Sequence, residues 1–383
     1  MLKKGLVAVV GVLVLGTFLS GCVCGSGSSS DVKYPCLSSF EHKMQEGKRL
    51  RVAYLGGSIT WGACASDQGK TSYRALVSEF LEKAYPEAHL KFIDAAIGGT
   101  PSKLGVFRMD RDVLPYKPDL TFIEFAVNDG GRTTDSVETM EGIIRKLKKS
   151  NPDMAIFIIV LGAGRGNKYG TPRYQEHIKL AEYYGLPFAD VCGPVKKQIK
   201  AGKLDTDKIL ADGCHPCDAG YRIYADIIID TLKKDFNAKG KAVPYPKPLT
   251  ANHYESAQML ELSKLKNLGE WQKGKVATLG TWFDHQPSRW ISSVIVPEKD
   301  GAKISFDLNC SGVGLYYEIM QQGGRILVEA DGKDVLNIST NMKQHYNRVA
   351  WRFKLLQNSK PRKITLVAPK KKNVKAAYLL YTR

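Results

Sequence analysis

The sequence is short of cysteine, of long apolar runs and of negative charge, and each shortage excludes something. Eight cysteines in 383 residues are too few for a scaffold built on disulfides. A single long apolar run, at the start of the chain, excludes a polytopic membrane protein. There is no His-Glu-x-x-His helix motif and no second thiol pair to complement Cys214-His215-Pro216-Cys217, so the sequence calls for no metal and no cofactor. Internal repeats and coiled-coil heptads are also missing. Acidic residues number 38 against 56 basic ones, a net charge of +18. The imbalance is uneven: residues 239–383 hold 24 basic and 11 acidic side chains, +13 in that segment alone. Such a surface suits nucleic acid, anionic glycans or anionic lipid head groups, or is simply a solvated face.

With 43% hydrophobic residues the chain can bury a core, and its length suggests two domains. Lys3 and Lys4 precede an apolar stretch from Leu6 to Phe18, then Leu19-Ser20-Gly21-Cys22. A basic start, a short apolar segment and small residues before a cut are the marks of an export signal. Leu-Ser-Gly-Cys resembles the bacterial lipobox, which implies lipidation of Cys22 and an exported, membrane-anchored protein in the cell envelope. Export in turn argues against a nucleic-acid partner. The expected organisation is a signal peptide over 1–21, a lipidated cysteine and tether over 22–48, and a first domain over 49–238. A linker over 239–270, rich in proline from Val243 to Pro248, then leads to a second domain over 271–383.

In the first domain, short apolar runs alternate with amphipathic stretches. The runs are Leu50–Leu55, Leu90–Ala96, Leu120–Val127, Ala155–Leu161 and Phe188–Val191. Helical patterns fall at Ser72–Ala84, Ser102–Val113, Asp135–Lys149, Pro172–Tyr184 and Asp218–Asp235. Buried parallel strands joined by crossover helices read this way, so the fold class is α/β in three layers. In such sheets functional residues gather just past the carboxyl ends of the strands. After residue 271 the runs shorten and alternate, as in Val313–Ile319 and Ile364–Ala368, and Asp331-Gly332 marks a hairpin turn. That texture predicts an all-β sandwich of about 100 residues.

Four blocks at predicted strand or helix ends carry candidate chemistry. Gly56-Gly57-Ser58 can turn sharply and expose a hydroxyl. Gly98-Gly99-Thr100 lets a backbone N–H approach a ligand, and Asn128 in Val127-Asn128-Asp129 offers a side-chain donor. Asp212-x-x-His215 can pair a base with the carboxylate that orients it. Each block alone also reads as an ordinary turn or cap. Together and in this order they resemble the SGNH hydrolases, also called the GDSL esterase family, over roughly residues 49–236.

The resemblance implies a flavodoxin-like sheet with Ser58 as nucleophile, His215 as general base and Asp212 as its orienter. It also implies an oxyanion hole made by the N–H groups of Ser58 and Gly99 and the side chain of Asn128, with no metal. Two positions depart from the family pattern: Gly57 stands where an Asp is usual, and Ala126 where a Gly is usual.

Phrases around Gly105-Val106-Phe107-Arg108 and Glu124–Gly130 look like a bacterial branch containing carbohydrate O-acetylesterases, often with an appended β-sandwich. The resulting expectation is a serine esterase acting on an acetylated polysaccharide or oligosaccharide. A lipase or lysophospholipase is the second enzyme class, and a non-catalytic glycan-binding lipoprotein the third reading. Aromatic rings can stack on sugar faces, which makes Trp61 a candidate substrate contact and Trp282, Trp290 and Trp351 candidates in the second domain. Cys64, Cys192, Cys214 and Cys217 fall on loops at the expected active edge, where a bridge could tighten the His215 loop.

Overall fold

The computed structural model describes residues 35–130, 135–237, 246–276, 290–343 and 348–383. The signal segment, Cys22, the start of the tether, the proline-rich stretch up to Tyr245 and Trp282 lie outside the described residues.

All five apolar runs are strands of one parallel sheet: β1 (Arg49–Gly56), β2 (His89–Ala96), β3 (Leu120–Glu124), β4 (Ala155–Val160) and β5 (Phe188–Asp190), in the order β2-β1-β3-β4-β5. This is the flavodoxin-like order, with its switch point at the carboxyl ends of β1 and β3. Alternate residues of each strand feed opposite cores, as a period of two requires. Ala53, Leu55, Ile123, Ile156 and Ile158 face one side, and Val52, Tyr54, Phe122, Phe157 and Ile159 the other. In chain order the helices are α1 (Pro35–Gln45), α2 (Ser58–Trp61), α3 (Tyr73–Ala84), α4 (Ser102–Asp112), α5 (Ser136–Ser150), α6 (Tyr174–Tyr183), α7 (Cys192–Lys200), α8 (Thr206–Ile209) and α9 (Asp218–Phe236). Ser72 starts α3 by accepting a bond from the Ala75 amide, as an N-cap should.

Two boundaries differ from the sequence reading. The tether expected to run to residue 48 ends earlier, because α1 buries Leu37, Phe40 and Met44 beside β1 and α9. The linker expected over 239–270 is partly structured. Glu141 accepts bonds from the Leu249 and Thr250 amides, at 2.5 and 2.8 Å. Further on, β6 (Gln258–Glu261) pairs with the last strand of the chain.

The second domain is all antiparallel: β7 (Trp271–Gly274), β8 (Val294–Pro297), β9 (Ala302–Ile319), β10 (Arg325–Ala330), β11 (Lys333–Ser339), β12 (Arg348–Ala368) and β13 (Ala376–Thr382), together with β6. The register of the two long strands breaks between Leu355 and Lys360 of β12, opposite Gly312 and Cys310 of β9. On one side of the break they pair beside β10 and β11, and on the other beside β13. Ile304, Ile326, Val328, Ile364 and Leu366 from the first half meet Val313, Leu315, Tyr317, Leu379 and Tyr381 from the second in one core. The predicted hairpin joins β10 to β11, with Asp331 and Gly332 both at positive φ, 53° and 76°.

The opposite face of that second half meets the α/β domain. Tyr316, Tyr378 and Leu380 belong to the same core as Leu104 and Phe107 of α4, and Val349, Trp351 and Phe353 pack against it. This explains why β13 is buried at every position where alternation predicts one exposed face. The Phe107 ring lies 4.8 Å from that of Phe353 and 6.1 Å from that of Tyr254. Lys103 pairs with Asp135 at 2.7 Å and reaches the Tyr254, Trp351 and Phe353 rings at 5.7–5.9 Å. Arg111 donates to the Trp290 carbonyl at 3.0 Å and the Tyr378 hydroxyl at 3.2 Å. Because the core is continuous across this seam, Phe107→Ala is expected to cost about 3–5 kcal/mol. Chemical denaturation should show both domains shifting together in a single transition, whereas separate transitions would show that the seam does not couple them.

Candidate active site

The carboxyl end of β1 is a place without room. A Cβ on Gly56 would lie 2.7 Å from Thr60 Cβ and 2.8 Å from the Glu124 carbonyl, and one on Gly57 would lie 2.8 Å from Asn128 Cγ. Glycine at both positions lets the ends of β1 and β3 approach, with the Asn128 side chain against the backbone next to Ser58. The chain then enters the short helix α2, which Gly62 ends at a φ of 101°.

Ser58 lies at that turn, buried to 5% exposure. Its Oγ is 2.9 Å from His215 Nε2, and His215 Nδ1 is 2.8 Å from Asp212 Oδ2. The second oxygen of Asp212 accepts the backbone N–H groups of Cys214 and His215, each at 2.6 Å. Although partial burial opposes its charge, these bonds hold the Asp212 carboxyl below the usual range, so it stays an acceptor at neutral pH. The His215 loop is anchored at both ends: the Ala211 amide donates to the His215 carbonyl and the Cys217 amide to the Ile209 carbonyl. Asp218 accepts from the Ser66 amide and the Thr71 hydroxyl, both at 2.8 Å, tying the loop after α2 to the start of α9. The three side chains are separated by up to 157 positions in sequence, yet they form one hydrogen-bonded line.

Gly99 and Asn128 flank it. Gly56 pairs with Ala96, and the Ile97 amide donates to the Gly56 carbonyl at 3.0 Å, which brings the Gly99 turn beside the Ser58 turn. Gly98 is buried, whereas Gly99 is exposed at a φ of 68°. Asn128 is half-buried. Trp61 is half-buried at the end of α2. Trp290 and Trp351 pack into the seam between domains, which corrects their reading as sugar platforms. The bridge expected at the His215 loop is also corrected: Cys64, Cys192, Cys214 and Cys217 are free thiols, and the Cys217 thiol donates to the Lys208 carbonyl.

Several residues that position this site escaped the sequence reading. Buried Arg108 donates to the carbonyls of Ala95 and Gly56 and pairs with Asp112 at 3.0 Å, clamping the ends of β1 and β2. Asp129, fully buried, accepts from the Ser102 amide at 2.8 Å and faces His177 Nε2 at 3.1 Å. It therefore joins the Asn128 turn to the start of α4 just after the Gly99 turn. Asp129 was visible in the Asn-Asp block, but nothing in the sequence announced His177, 48 positions later, as its partner. Glu124 ends β3 with its carboxyl buried beneath this turn, near Thr60 Oγ1 at 3.4 Å. Burial is the main reason its pKa rises to about 8, despite bonds from the Val127 and Ala126 amides.

Comparison with known proteins agrees with this construction. Residues 54–223 match the model of the GDSL-like lipase/acylhydrolase family. The match spans most of the α/β domain, 170 of the chain's 383 residues, and the matched family is one of lipases and acylhydrolases. Among solved structures, the chain is similar to a two-domain esterase (CEX) active on acetylated mannans. That likeness has a TM-score of 0.75 at 24% identity and covers 92% of this chain and 96% of the other. The same esterase co-crystallised with mannopentaose matches equally, over 97% of its length. An acetylxylan esterase, Axe2 from Geobacillus stearothermophilus, is matched over 48% of this chain and 94% of its own, at 21% identity and a TM-score of 0.40. A search of curated protein sequences finds no match. The first two likenesses establish a shared two-domain architecture.

The buried Glu124 gives a prediction with a definite sign. In the fold its carboxyl keeps its proton up to about pH 8, while the unfolded chain ionises near 4.5. The native state therefore binds the extra proton between those values, and stability falls as pH rises through the window. Glu124→Gln should remove this dependence, so that the variant gains a few kcal/mol on wild type between pH 4.5 and 8. Parallel denaturation curves for the two proteins across that range would contradict it.

Proposed function

We propose that the chain hydrolyses O-acetyl esters on a polysaccharide or oligosaccharide through a Ser58 acyl-enzyme. The hydrogen-bonded line Ser58–His215–Asp212 carries this reading. A serine hydroxyl is a weak nucleophile until a base takes its proton in the transition state, and His215 Nε2 is in bonding range of that proton. Asp212 fixes the imidazole so that Nε2 faces Ser58 and stabilises the imidazolium that forms. As the ester carbonyl becomes tetrahedral, charge collects on its oxygen, and the Ser58 and Gly99 amides and Asn128 Nδ2 are the donors for it. His215 then returns the proton to the departing sugar hydroxyl. Water repeats the sequence, releasing acetate and restoring Ser58. The sugar-ester substrate is supported by the two-domain architecture shared with an esterase active on acetylated mannans, and Trp61 is the substrate contact in this reading.

Cys22 carries the lipid anchor in the same proposal, and the basic second domain favours an anionic surface. Cys22→Ala should move the protein from the membrane fraction to the soluble fraction. Its retention on an anionic polysaccharide should weaken with added salt; salt-independent retention would remove the anionic partner.

The direct test is acetate release from acetylated mannan, xylan and pectin, offered beside a long-chain lysophospholipid. Ser58→Ala should abolish release with an unchanged circular dichroism spectrum. Asp212→Asn should leave a residual rate, about 10,000-fold down if the imidazole tautomer is lost. Fatty acid from the lipid in place of acetate would move the enzyme to the lipase class. Glycan binding with no hydrolysis of any ester would make it a binding protein. Gly57→Ala, by displacing Asn128, is expected to lower kcat by about 100–1000-fold, the usual loss for one oxyanion donor; unchanged kcat would show that Asn128 is not a donor.

A further inference from the structure

Beside the relay lies a group that ester hydrolysis does not use. Cys64 follows α2 and sits at a φ of 66°, in the left-handed region. Its turn is pinned on both sides. The Ala63 amide donates to the Ser58 carbonyl and the Ala65 amide to the Gly62 carbonyl, and the Tyr221 hydroxyl donates to the Ala63 carbonyl at 2.7 Å. The thiol is half-buried and free. One ligand atom each from Cys64, Asp212 and His215 falls within 4.8 Å of the other two.

We propose that Cys64, Asp212 and His215 form an inhibitory binding site for a thiolate-seeking divalent metal ion, with zinc as the best fit. Thiolate, imidazole and carboxylate are zinc's three usual protein ligands, and three of them with a water complete a tetrahedron. Zinc bonds of about 2.0–2.3 Å place such ligand atoms about 3.3–3.6 Å apart, so the present spacing closes with side-chain movement of at most about 1.5 Å. Two of the ligands are already held by each other and by the Asp212 loop, which lowers the ordering cost of binding.

Occupation removes the general base whichever imidazole nitrogen binds. At Nε2 the metal takes the lone pair that the Ser58 proton needs. At Nδ1 it displaces the proton through which Asp212 orients the ring. Binding also expels the Cys64 thiol proton to solvent; at Nδ1 the ring proton shifts to Nε2, which then cannot accept the Ser58 proton. The sequence offered only Cys214-His215-Pro216-Cys217, a lone thiol pair that called for no metal; the fold brings in Cys64, 151 positions before His215, and engages Cys217 with the Lys208 carbonyl.

The test separates binding from inhibition, because only the inhibition rests on the esterase reading. Cobalt(II) added to the full-length chain should give a thiolate-to-cobalt charge-transfer band in the near ultraviolet. Part of that band should persist in Ser58→Ala and vanish in Cys64→Ser. Zinc alone should slow iodoacetamide labelling of Cys64 at least tenfold, read by peptide mass mapping, while labelling of Cys217 is unchanged; this arm needs no folded variant. With an ester substrate, zinc should inhibit wild type reversibly, a chelator should restore activity, and Cys64→Ser should need at least tenfold more zinc. A cobalt band unaffected by Cys64→Ser, or Cys64 labelling indifferent to zinc, overturns the site. Metal binding at Cys64 with full ester hydrolysis retained overturns its inhibitory role.

Discussion

The close approach of two strand ends is the constraint on which the site depends. Gly56 and Gly57 have no Cβ, so the β1 turn can lie against Glu124 and Asn128 at the end of β3. From that contact follow the position of Ser58 at the start of α2, the placement of Asn128 beside it, and the burial of the Glu124 carboxyl below both. Arg108 adds a clamp across the carbonyls of β1 and β2, and Asp129 ties the Asn128 turn to α4. The turns that carry the candidate donors are thus fixed by backbone contacts and buried charges rather than by the loops' own preferences. Preorganisation of this kind lets donors stabilise developing charge without moving during the reaction.

The second domain is bound to this framework through α4. Leu104 and Phe107 look into a core shared with Tyr316, Tyr378 and Leu380, while Ser102 at the same helix's start is held by Asp129. One helix therefore touches both the Asn128 turn, through Asp129, and the β-domain. Its polar end serves the site, and its apolar face joins the domains. The seam itself uses rings, aliphatic side chains and the cations Lys103 and Arg111, which pair with Asp135 and Asp112.

Asp212 and Cys64 show how closely packed chemistry can serve more than one end. Asp212 spends both oxygens within its own loop, which keeps it charged and orients His215. The same carboxylate lies with His215 and the Cys64 thiol in one cluster, their ligand atoms within 4.8 Å of one another, so in the readings proposed above ester hydrolysis and metal binding draw on the same pair of groups. No disulfide among the described cysteines intervenes.

Much of this protein was legible in its sequence because the signals were local. Apolar runs of strand length gave the parallel sheet, an Asp-Gly pair gave the β10–β11 hairpin, and the four short blocks marked Ser58, Gly99, Asn128 and the Asp212-x-x-His215 pair. Periodicity and turn chemistry act over a few residues and leave their trace in order. What only the tertiary structure decided were meetings between distant residues: His177 with Asp129, Arg108 with the strand-end carbonyls, Cys64 with Asp212, and the burial of β13 on both faces. It also drew Leu37, Phe40 and Met44 out of a supposed tether, and residues 249–250 out of a supposed linker. Burial and pairing are properties of the neighbour, and no residue's neighbours across the fold are written beside it in the chain.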